Sequence, residues 1–83
     1  MISRDSIESA YCFFHQKERV YRYSALDWQK DDIEQAISGY VDGMDRELYA
    51  LLADGRAGFL LDHTTFADDL AQAVEALDRL MHR

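Results

Sequence analysis

The stretch TFADDLAQAVEALDRLM, residues 65–81, decides the fold class. Phe66, Leu70, Ala73, Leu77 and Leu80 recur at intervals of four, three, four and three, with Val74 and Met81 beside them. On a helix of about 3.6 residues per turn these positions form one continuous apolar stripe. Such a stripe has to be covered, and its heptad-like spacing seats it against other helices at a shallow crossing angle. Thr65-x-x-Asp68 reads as a variant capping box that opens this helix at Thr64 or Thr65.

Working back along the chain, two more segments carry helical patterns. Residues 5–23 place Ile7, Ala10, Tyr11, Phe14 and Tyr21 in one arc, widened by Phe13 and Val20, with Ser3 or Asp5 as the cap. The opposite side, with Glu8, Cys12, His15, Arg19 and Arg22, is mildly basic. Ser24 or Asp27 is suited to cap the next helix. In residues 28–53, Ile33, Ile37, Tyr40, Met44, Leu48, Leu51 and Leu52 hold one phase, and Asp54-Gly55 supplies a stop with glycine in the left-handed position.

An unbroken phase predicts a continuous helix about 39 Å long, against about 27 and 25 Å for the other two. The rival reading takes Asp42-Gly43 as a turn. The expected fold is therefore an all-α, antiparallel three-helix bundle spanning residues 1–83 as a single domain. Its long central helix is either continuous or broken near Gly43 to give four helices. Phe59, Leu60 and Leu61, between the last two helices, are expected to plug one end of the bundle.

Composition limits the functional classes. With 83 residues, 48% hydrophobic and 30% charged, the chain is expected to fold as one small core rather than remain disordered. A second copy is one way for so small a core to gain buried area. Met1 to Tyr23 carries four basic and three acidic residues, so the remainder, with five basic and thirteen acidic, holds −8 of the net −7. A field of that sign repels phosphate, which disfavours direct nucleic-acid binding. The longest apolar runs are far below the ~20 residues needed to span a bilayer. With one cysteine and no apolar leader, a cytoplasmic location is expected.

No motif specifies a reaction. Walker, G-x-S-x-G, H-E-x-x-H, C-x-x-C, EF-hand and Glu-x-x-His patterns are all missing, so neither an enzyme nor a cofactor or metal site is expected. Glu8, Cys12 and His15 share a helix face and form the weak candidate for a thiol or metal site. The stronger feature is a stripe of small residues along the second helix, Ala36, Gly39, Gly43 and Ala50, flanked by Tyr40 and Met44. Interior glycines cost about 1 kcal/mol each relative to alanine, which suggests close approach by another backbone. That backbone belongs either to the first helix or to another molecule, and a long helix overhanging its neighbours favours association.

The leading expectation is a non-catalytic interaction module that binds a protein partner or, as a homodimer, a second copy through Ala36, Gly39, Tyr40, Gly43, Met44 and Ala50. The alternative is an acidic mimic of nucleic acid, resting on Glu34, Asp42 and Asp45. Tyr23, Trp28 and Tyr49 are further candidate anchors if exposed.

Overall fold

The computed structural model describes residues 2–82, which form four α-helices and no strand. These are α1 (Arg4–Tyr23), α2 (Asp27–Gly43), α3 (Arg46–Ala53) and α4 (Phe66–Met81), with a 3₁₀ turn at His63–Thr65 immediately before α4. The all-α bundle is thus present in its four-helix form, and the continuous central helix is not. No helix among the described residues is long and apolar enough to cross a membrane.

The break after Gly43 has a local cause. Met44 is extended, and Asp45 acts as the cap of α3, its Oδ1 accepting from the amides of Glu47 at 2.8 Å and Leu48 at 3.2 Å. Arg46 turns back across the joint and donates to the carbonyls of Val41 at 2.5 Å and Asp42 at 2.9 Å. One side chain therefore serves the free amides of the new helix and another the free carbonyls of the old one. The hydrophobic phase survives because only Met44 and Asp45 leave helical geometry. Leu48 and Leu52 still reach the core, while Leu51 turns out to 54% exposure. Shortened in this way, α2 is about 26 Å long. It no longer overhangs α1 or α4, and the length mismatch ceases to be a reason for association.

Other ends follow simple capping chemistry. Ser3 caps α1 by accepting from the Ser6 amide at 3.1 Å. At α2 the cap position is Leu26, without a side-chain bond, rather than Ser24 or Asp27; Ser24 instead bonds Gln29 and the Leu26 backbone. Thr65 does hold the cap position of α4, yet its hydroxyl bonds Asp69 instead of completing a box with Asp68. Asp62, one turn earlier, caps the 3₁₀ turn through the Thr64 amide and hydroxyl. Those two bonds hold the Asp62 carboxyl below the usual carboxylate range.

The core gathers Ala10, Phe14 and Tyr21 from α1, Ile33, Ile37 and Val41 from α2, Leu48 and Leu52 from α3, and Phe66, Leu70, Ala73 and Leu77 from α4. Each large apolar side chain buried here contributes roughly 1.5–3 kcal/mol. The most extensive helix contact joins α1 to α4, whose Tyr21 and Phe66 rings lie 5.2 Å apart. Gln72 on α4 ties in α3 by donating to the Leu52 carbonyl at 2.8 Å.

The connection over residues 54–62 is plugged by Phe59 and Leu60, as expected, while Leu61 is exposed. Leu60 is buried with φ of 61°, a left-handed backbone that costs a branched L-residue energy. Its amide donates to Asp69 Oδ2 at 2.9 Å, and Arg56 lies 2.5 Å from Asp69 Oδ1. Tyr49 secures the same connection by donating its hydroxyl to the Phe59 carbonyl at 2.7 Å.

Candidate functional site

Because α1 and α2 run antiparallel, the first turns of α1 face the last turns of α2. There the chain leaves a groove of about 520 Å³. Gly39 and Gly43 form part of it, with Tyr40, Met44 and Leu48 supplying apolar lining and Asp5, Ser6, Ser9 and Asp45 polar lining. Tyr40 is held in place by stacking on Phe13, with ring centroids 4.4 Å apart and planes 12° from parallel.

A Cβ built at Gly39 or at Gly43 would meet no atom within 4 Å. Close packing of the glycine stripe against the first helix within the same chain is thereby corrected: these two positions face open space. Of the expected interface residues, the structure brings Gly39, Tyr40, Gly43 and Met44 together in the groove. Ala36 and Ala50 are exposed but outside it, since the break before α3 turns Ala50 away from the stripe.

A second group of chemically active side chains lies at the other end of α2. Asp31 and Glu34 are three residues apart, hence neighbours on the helix surface. His63, from the 3₁₀ turn, brings Nδ1 to 2.8 Å from Glu34 Oε2 and 2.9 Å from Oε1. Tyr21 donates its hydroxyl to the same Oε2 at 3.2 Å. Hydrogen bonding to Glu34 and its charge raise the His63 pKa above the usual imidazole value. The Tyr21 hydroxyl is pushed up to about 12, first by burial and then by the Glu34 charge.

No protein-family model, curated protein or solved structure matches this chain. Its own chemistry is what bears on function. The Glu8, Cys12 and His15 group does not assemble into a site: Glu8 accepts from Arg4 Nε at 3.0 Å, and the His15 ring stacks on Tyr11. Cys12 is an exposed free thiol. Among the described residues, the group whose potential metal-ligating atoms converge is Asp31, Glu34 and His63.

Sequence spacing reveals only the Asp31 and Glu34 half of that group, because His63 arrives through tertiary folding 29 residues later. Of the candidate anchors, Tyr23 and Trp28 are exposed at 78% and 60%, whereas Tyr49 is committed to Phe59.

Proposed function

We propose that this chain is a non-catalytic interaction module that receives a basic amphipathic helix of a partner protein in the groove beside Gly39 and Gly43. The observation carrying this reading is the open space at both glycines. An alanine would fit at either position, so packing within the chain gives no reason for the helix propensity lost at Gly39 inside α2. A helix approaching from outside can use that space, with Tyr40 and Met44 offering apolar contact. Asp5 and Asp45 line the same groove, and together with the net charge of −7 they favour a cationic partner. A second copy brings the same acidic groups and the same net charge, which makes homodimerisation the less favoured occupant.

The test is an NMR titration of the chain with a lysine-rich amphipathic model helix. Amide shifts should concentrate at Ser6, Ser9, Gly39, Gly43 and Met44, weaken as salt is raised, and disappear in Gly39→Leu or Gly43→Leu. Shifts centred on Glu34 and Asp42, outside the groove, and unaffected by those substitutions would instead support the acidic nucleic-acid mimic. A light-scattering mass near twice 9.6 kDa, lost in Gly43→Leu and accompanied by no peptide response, would replace the hetero-partner with a second copy.

A further inference from the structure

At the end of α2 away from the groove, we propose that Asp31, Glu34 and His63 bind a divalent transition cation of the zinc class. The three side chains come from two separate segments, and their ligand atoms all lie within 4.8 Å of one another. Zinc holds nitrogen and oxygen donors at about 2.0–2.2 Å, which places two donors on a tetrahedral ion about 3.4 Å apart. The 2.8 Å between His63 Nδ1 and Glu34 Oε2 therefore has to open by only about 0.6 Å. Asp31, which is exposed, closes the remaining distance by side-chain rotation.

The surroundings resemble the outer shell of a metal site more than a random acidic surface. Glu34 has a side chain only 17% exposed, and the buried Tyr21 hydroxyl fixes one of its oxygens, as outer-shell donors do for ligating carboxylates. A cavity of about 430 Å³, lined in part by Asp27, Asp31 and His63, leaves an open side for water ligands. Asp27 sits one turn before Asp31 and adds a further carboxylate to that cavity. The local cation, Lys30, has its ammonium over the Tyr21 ring, 5.6 Å from the centroid. Two carboxylates with a neutral imidazole balance a 2+ charge. The imidazole selects zinc and its neighbours over magnesium and calcium, which prefer oxygen alone.

Calorimetric titration of zinc chloride into the chelator-treated chain tests this site. One ion per chain should bind, and the melting temperature should rise by several degrees, whereas magnesium or calcium chloride at the same concentration should leave it unchanged. His63→Gln and Glu34→Gln should each weaken zinc binding tenfold or more. Cys12→Ser and His15→Gln should not alter it. Should either of the first two variants fail to fold, Asp31→Asn, at an exposed position, must still weaken binding. The proposal is overturned by an equal response to magnesium and calcium, by zinc affinity unchanged in His63→Gln or Asp31→Asn, by loss of binding in Cys12→Ser, or by no response to millimolar zinc.

Discussion

Asp69 is a carboxylate at 1% exposure in the middle of an apolar helix face. Its partners are the Leu60 amide, the Thr65 hydroxyl and the Arg56 guanidinium, all from the connection that precedes α4. A buried carboxylate with these contacts is a tie between the helix and that connection. Asp69→Ala leaves the buried Leu60 amide without its acceptor, and the expected loss of stability is about 2 kcal/mol or more. Arg56 adds little to that figure because its side chain is 39% exposed. Asp69→Asn retains an oxygen acceptor and should lose less. Urea denaturation measures both, and equal losses in the two variants would refute the role of that oxygen. The sequence already held the signal: position 69 is three after Phe66 and four before Ala73, inside the apolar arc. Its neighbour Asp68 is exposed, and helical phase alone separates the two carboxylates. No comparable signal marked His63, whose partner is set by the path of the chain rather than by helical spacing.

At the scale of elements, the three apolar stripes were legible because periodicity reports which face is buried, whatever the crossing angles. The break between α2 and α3 was not. A joint of two residues barely disturbs periodicity, and the features that create it, Asp45 as cap and Arg46 reaching back, resemble ordinary helix-surface residues in sequence. Val41 falls between Leu48 and Leu52 on the same helical projection, and its burial beside Ile33 and Ile37 continues that arc. Leu51, within the arc a straight helix implies, turns out to solvent once α3 begins a new helix. Gly39 lies within α2 and not at the joint, and a Cβ there meets nothing. Gly39→Ala should therefore stabilise the isolated chain by roughly 0.5–1 kcal/mol. Thermal or urea unfolding provides the measurement, and a destabilised variant would show that some contact needs the missing side chain. A stabilised variant that also binds the basic model helix less well would locate a functional cost at that glycine.

Across the whole molecule, the His63–Glu34 contact clasps the turn before α4 to α2. Glu34 raises the folded-state pKa of His63, and Asp31 and Asp62 add to the effect. The clasp therefore contributes fully below the unfolded imidazole value of about 6.5. That contribution is lost as pH rises through the higher folded-state value. In chelator, the wild-type chain should lose stability as pH rises above the unfolded imidazole value of about 6.5, and His63→Gln should show a flatter profile. Indistinguishable profiles would exclude the clasp as a source of pH dependence. The net charge of the whole chain, legible from composition, sets the background repulsion and favours cationic partners, but it could not locate either site. Both the groove and the Asp31, Glu34 and His63 cluster exist only once α1, α2 and the connection after α3 are placed together.

The left-handed backbone at Leu60 has a consequence for which other sequences can occupy this fold. Residue 60 has the hand that a D-amino acid takes without strain. Glycine relaxes the backbone but abandons a buried side chain, whereas another L-residue keeps the strain and alters the packing. Substitution is penalised from both directions, so this position inside a connecting loop tolerates less variation than the exposed faces of the helices it joins.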